Sequence, residues 1–159
     1  MYFAEKPEDL LDQEGLLSMS GLEFMQGILD GTLPAPPISR VLNYRLYSVE
    51  EGRVAFRGTP GFDHTNPMGT VHGGWYGTLV DSCMACAVMT LVPKGSVYTT
   101  LEFKTNIIRP IKLGTEIEAV GTSQHTGRST GVAVAELRGV EDGKLYATGS
   151  TTCIVMKMR

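Results

Sequence analysis

A chain of 159 residues is long enough for one domain with a real core. Its 42% hydrophobic and 19% charged content excludes intrinsic disorder, and a net charge of −3 gives nucleic-acid binding no electrostatic support. Three cysteines, an odd number without secretory spacing, point to a reducing compartment, and a cytoplasmic location is expected. The first residues lack a basic-then-apolar signal pattern, and no membrane segment or lipidation motif is read.

Charge is unevenly placed along the chain. Residues 1–63 carry five basic and ten acidic side chains. Residues 94–128 reverse the balance, with Lys94, Lys104, Arg109, Lys112 and Arg128 against Glu102, Glu116 and Glu118. A phosphate-bearing ligand would be sought there, although ordinary solvated strand faces explain the charge equally well.

Residues 1–37 read as a lead-in. Residues 1–19 are polar, acidic and broken by Pro7 and Gly15, so they are expected to be loosely held. Ser20 is placed to cap a short helix over Leu22, Phe24, Met25, Ile28 and Leu29, closed by Gly31. Pro34, Pro36 and Pro37 punctuate, and Ile38 to Leu42 can make one more helical turn. A single domain is expected over 38–159. Tyr44 to Val49 reads as a strand, Glu50-Glu51-Gly52 as a hairpin turn, and Arg53 to Arg57 as the return strand.

The stretch Asn66 to Leu91 organises the rest. Asn66-Pro67 and Gly69 are turn residues, and Gly73-Gly74 permit a tight bend. The spacing predicts a helix over about 74–91, stopped by Pro93. Trp75, Leu79, Val80, Met84, Val88 and Leu91 leave no polar face, so this helix is expected at the centre of the fold. Its one charge, Asp81, is also the only formal charge between Asp63 and Lys94. A lone carboxylate in a buried helix is costly unless it is paired, hydrogen-bonded or used.

After Pro93 every segment reads as strand. Val97 to Ile108 is long, with Leu101, Phe103, Thr105 and Ile107 on one face and Thr100, Glu102, Lys104 and Asn106 on the other. Thr115 to Ser123, Ser129 to Leu137 and Leu145 to Met156 follow, joined by glycine-containing turns. Two strands before one all-apolar helix and four after it predict an α+β fold. In it, a curled antiparallel sheet of about six strands wraps one long helix.

Backbone N–H groups at Gly73 and Gly74 would open that helix at the positive end of its dipole. They could bind an anion or a carbonyl oxygen turning tetrahedral. A simple tight turn accounts for two glycines as well. Asp81 could be a general base or a nucleophile, or an aspartate tied to Thr78, Ser82 or a backbone amide. Gly73 and Asp81 lie eight residues apart, about 12 Å along a helix, too far for one chain to bring both to one carbon. If both serve one reaction, they come from two subunits across a two-fold axis. His72 is read chiefly as fixing the turn. His64, His72 and His125 lack metal spacing, and no metal or cofactor is expected. Cys83-Met84-Ala85-Cys86 lies mid-helix, where small core residues are the better reading than a redox pair.

Asn66-x-x-Gly69-x-x-His72-Gly73-Gly74, with Asp81 nine positions after the histidine, resembles the hotdog-fold acyl-CoA thioesterases of the PaaI-like group. Tyr98-Thr99-Thr100-Leu101, Ile108-Arg109-Pro110, Gly127-Arg128-Ser129 and Asp142-Gly143-Lys144-Leu145-Tyr146 follow in that family's order, so the match covers roughly Ile38 to Val155. The resemblance implies a hotdog fold, a homodimer or dimer of dimers, and thioester hydrolysis without metal. It gives the Gly73 N–H the thioester carbonyl, with Gly74 and His72 beside it at the helix start. Asp81 of the partner chain activates water or attacks, Asn66 orients carbonyl or water, and Thr100 positions the water, with Thr99 as the competing hydroxyl. Arg109, Lys112 and Arg128 are implied partners for CoA phosphates. Trp75 and Tyr76 are bulkier than usual there and would shape the acyl pocket. Two other classes stay open: a non-catalytic acyl-CoA-binding hotdog protein, and a hotdog hydratase or dehydratase using His72.

Overall fold

Helix α4, Gly73–Met89, crosses the concave face of one six-stranded sheet in the computed structural model, which describes residues 2–158. Leu79, Val80, Cys83, Met84, Ala87 and Val88 are fully buried, as an all-apolar helix requires. The observed helix starts at Gly73 and ends with Thr90 as its C-cap, near the expected bounds. Strands β1 (Tyr44–Glu50), β2 (Arg53–Gly58), β3 (Ser96–Ile107), β4 (Ile117–Thr126), β5 (Thr130–Gly139) and β6 (Leu145–Lys157) are ordered β1-β2-β4-β5-β6-β3. Every pairing is antiparallel, and β1 and β3 are the edges. A curled antiparallel sheet around one central helix is the hotdog fold.

Three glycines let the helix sit against the sheet. A Cβ on Gly121 would run into the Cys83 carbonyl, one on Gly131 into Val88, and one on Gly149 into Val80. Close packing at these points fixes α4 lengthwise and in rotation.

The long strand β3 departs from simple alternation. Thr100 pairs with Cys153 and Glu102 with Thr152, so Leu101 is an extra residue, a β-bulge. The bulge reverses the phase. Thr100 comes onto the same inward side as Phe103, Thr105 and Ile107, where a strict period of two put it opposite them. Leu101 is instead 60% exposed, and Phe103 and Ile107 remain about half exposed. Alternation along a strand cannot reveal one inserted residue.

The N-terminal segment is held, contrary to the loose lead-in expected of it. Phe3 bridges Ala35, and the Ala4 N–H donates to the Ala35 carbonyl at 3.0 Å. A short helix α1 (Gln13–Leu17) is capped by Asp12. Helix α2 (Gly21–Asp30) has Ser20 and Glu23 in a reciprocal capping box and ends at Gly31 in the left-handed region. It packs over β1 and against the end of α4, burying Met25 and Ile28. Helix α3 (Pro37–Val41) then leads into β1. Acidic composition gave no sign of these backbone pairings, which are tertiary.

Candidate active site

Two elements meet at Asp81, the middle of α4 and the bulged part of β3, while the loop 61–72 leads into the start of the same helix. Asp81 is half-buried, and the Thr100 hydroxyl donates to its Oδ1 at 3.0 Å. Thr99 is exposed and turned away, so Thr100 is the hydroxyl beside the carboxylate. Among the described residues no cation forms an ion pair with Asp81. Burial therefore pushes its carboxyl above the usual range, and the Thr100 hydrogen bond only partly opposes this. Neighbouring Cys86 is pushed up to about 12 by burial and by the Asp81 charge, so it stays a thiol at neutral pH. This agrees with a core role for the Cys83–Cys86 pair.

The helix start is built by two histidines. His72 is the N-cap of α4, and its Nδ1 accepts the Gly74 N–H at 2.8 Å. The ring folds so close that a Cβ on Gly74 would lie 2.9 Å from Nδ1, which explains the second glycine. It also removes Gly74 from the candidate ligand donors. The Gly73 N–H is exposed and has no hydrogen-bond partner among the described residues. It is the free donor at the positive end of the helix.

His64, whose spacing argued against a metal ligand, holds the loop in place. Its Nδ1 accepts the Gly61 N–H, its Nε2 donates to the Val41 carbonyl, each at 2.9 Å, and its carbonyl accepts the His72 N–H. Nothing in its sequence neighbourhood signals this, because the partner at Val41 is twenty-three positions away. Asn66 ties the same loop. Its Oδ1 accepts the Met68 and Thr70 N–H groups, and its amide donates to the Thr70 hydroxyl at 2.8 Å. One amide hydrogen remains for a ligand.

Trp75 reaches none of the clefts described, while Tyr76 lines a small one of about 280 Å³ with Val71, Ile107 and Arg109. Both turn into the core, 2% exposed. The Trp75 indole donates to the Leu42 carbonyl, and the Tyr76 hydroxyl accepts the Ile111 N–H at 2.7 Å. Their polar tips need these partners once buried.

The three cations implied for CoA do not converge in one chain. Arg109 and Lys112 line a surface cleft of about 720 Å³, shared with Lys144 and three carboxylates, Glu116, Glu141 and Asp142. Arg109 also donates to the Leu145 carbonyl at 2.8 Å. Arg128 lies in the β4–β5 turn, at the far end of β4, about 30 Å away by strand length. No cluster of three His, Cys, Asp or Glu able to hold a metal is found among the described residues, and none of their helices is long and apolar enough to cross a membrane.

The fold is thus a hotdog whose central helix carries a hydrogen-bonded, half-buried aspartate and, at its start, an N–H without a partner among the described residues. Residues 68–146 match the thioesterase superfamily, and the chain belongs to it. It is 34% identical over 89 residues to mouse acyl-coenzyme A thioesterase 13, a stretch covering 56% of this chain and 63% of the mouse protein. The match thus spans a little under two thirds of that relative's length. Among solved structures, it is similar to a phenylacetic acid degradation-related protein of Ralstonia eutropha, with a TM-score of 0.75 and 27% identity, covering 82% of this chain and 98% of that one. It is also similar to a hypothetical thioesterase protein with coenzyme A from Streptococcus pneumoniae, with a TM-score of 0.68 and 27% identity over 77% and 92% of the two chains.

Proposed function

We propose that the chain is an acyl-CoA thioesterase that works as a homodimer with two composite sites. The observation that carries this reading is Asp81, an unpaired half-buried carboxylate held by Thr100 in a chain of the thioesterase superfamily. A structural aspartate would be neutralised or paired; this one is kept basic, as a group that takes a proton must be. The partner subunit's Gly73 donates to the thioester carbonyl. Asp81 takes a proton from water as its oxygen bonds to the carbonyl carbon. The C–S bond then breaks, the thiolate leaves with that proton, and free acid and CoA remain. Direct attack by Asp81, through an anhydride that water opens, uses the same atoms.

The edge strand supports the dimer. Among the described residues β3 has no strand beside it on one side, and it exposes Leu101, Phe103 and Ile107, with Ile108 just past its end. Edges of this length and polarity are normally covered. Pairing two β3 strands antiparallel would join the sheets and set the two α4 helices side by side. That would offset the 12 Å between Gly73 and Asp81 in one chain. Asn66 would orient the carbonyl or water with its remaining amide hydrogen. Arg109 and Lys112 of one chain and Arg128 of the other would reach the CoA phosphates. Three free cysteines support a reducing compartment such as the cytoplasm.

The test is thiol release from a panel of short, medium, long and aryl acyl-CoAs, with wild type and Asp81→Asn side by side. Hydrolysis that falls with Asp81→Asn is expected. Hydrolysis of none of the panel would leave a binding protein, and water addition to an enoyl-CoA would make it a hydratase.

A further inference from the structure

Beneath α2 lies a cavity of about 240 Å³. Its floor is the stretch of α4 just past the candidate catalytic carboxylate, at Ser82 and Cys86. Its wall includes Tyr44 of β1, and its roof is Phe24, Met25 and Ile28 of α2. The carboxylate is near enough that its charge disfavours ionisation of Tyr44 and Cys86. The few polar groups are already engaged. The Tyr44 and Ser82 hydroxyls meet at 3.0 Å, and the Tyr98 side chain lies beside the Cys86 thiol. What remains facing the space is carbon, the setting that takes an apolar ligand group.

The roof is fixed. The Gly21 N–H at the start of α2 donates to the Val92 carbonyl at 2.9 Å, and Gly21 lies so close to the Met89 carbonyl that any side chain would collide. The reciprocal Ser20–Glu23 cap holds the same end. A long occupant cannot simply lift α2 away.

Given the thioesterase reading above, on which this rests, we infer that the cavity receives the acyl group and that α2 closes its far end, so that Phe24, Met25 and Ile28 set the substrate class: compact, apolar acyl groups. A cavity of about 150 Å³ holds the six carbons of benzene, so this one takes on the order of eight to ten carbons. A medium straight chain or a single aromatic ring fits. A sixteen-carbon chain does not. The residues that choose the substrate thus come from the segment before the sheet, outside the stretch that matches the superfamily.

The experiment is thiol release from straight-chain acyl-CoAs, acetyl through palmitoyl, and from benzoyl-CoA. For wild type, kcat/KM should climb about fourfold per added methylene while the chain fills the cavity, then fall. Ile28→Ala and Phe24→Ala open the far end and should move the optimum to longer chains by two carbons or more. Ile28→Phe fills it and should move the optimum to shorter ones. Opposite shifts cannot both come from loosened folding, and thermal melting of each variant accompanies the rates. Palmitoyl-CoA as the best wild-type substrate overturns the inference. So does an optimum that none of the three variants moves. Either result leaves hydrolysis itself standing, whereas no hydrolysis of any thioester removes the thioesterase reading and this one with it.

Discussion

The Thr100 hydroxyl reaches Asp81 from β3 to α4 at 3.0 Å, and it does so only because Leu101 is a bulge. Without that extra residue, Thr100 would face away while Phe103 faced inward. Thr100→Val keeps the shape and removes the donor. It should lower kcat about tenfold, the worth of one hydrogen bond to a charged group. Because the bond favours the carboxylate, its loss should also move the acid limb of the pH–rate profile to higher pH. Thr100→Ser should restore both. An unchanged profile in Thr100→Val would detach this hydroxyl from the chemistry.

Asp81→Asn should lower kcat by roughly 10²–10⁴, the range for a positioned general base. Its effect on stability has the opposite sign. Burial raises the folded pKa of Asp81 above its unfolded value near 3.9. The native state therefore holds the proton more tightly, and stability falls as pH rises from the unfolded value through the folded one. With rising pH the wild type bears that cost and the amide does not. Asp81→Asn should melt at or above wild type at pH 7, with the difference gone below about pH 4. Differential scanning calorimetry at both pH values decides it, and a variant melting well below wild type at pH 7 would refute the sign.

His72 is expected to act as a cap. His72→Ala should cost about 0.5–2 kcal/mol of stability, the usual loss of an N-cap side chain. Asn is a strong N-cap residue, so His72→Asn should keep both melting temperature and most activity. A folded His72→Asn that loses a hundredfold in kcat would give the ring a chemical role and revive the hydratase reading.

Leu101 is 60% exposed on the open edge, so Leu101→Lys should cost the isolated chain little. In the dimer it sets charge against charge across the two-fold axis. Sedimentation should show monomer, and activity should be lost in step. Mixing Asp81→Asn with Asn66→Ala should recover activity that neither has alone. A fully active monomer would end the composite-site reading.

The helix and strands were legible because their signals are local. Ser20 and Gly31 punctuate α2, and the apolar run Trp75 to Val88 is buried on every side as its composition demands. Asp81 stood out as the one charge in that run. Two things lay beyond a linear reading. The bulge at Leu101 has no sequence mark, so Thr100 and Leu101 were assigned to the wrong faces of β3 while the faces from Glu102 to Ile107 were right. Long-range hydrogen bonds also have none. His64 to Val41, Trp75 to Leu42 and Tyr76 to Ile111 turned supposed ligand or spare residues into structural ones. The cavity under α2 is of the same kind, because its roof and floor are more than fifty positions apart in the chain.

Gly121, Gly131 and Gly149 are where the sheet makes room for α4. They also make the outer scaffold a vernier for the chemistry. Val80, which a side chain on Gly149 would strike, immediately precedes Asp81. A methyl group added there would slide or roll the helix and carry the carboxylate off Thr100. A misplacement of about 1 Å can cost a hundredfold in rate. On the proposed mechanism, variation at these strand positions is expected to be read out in turnover as well as in melting temperature, from residues outside the candidate site.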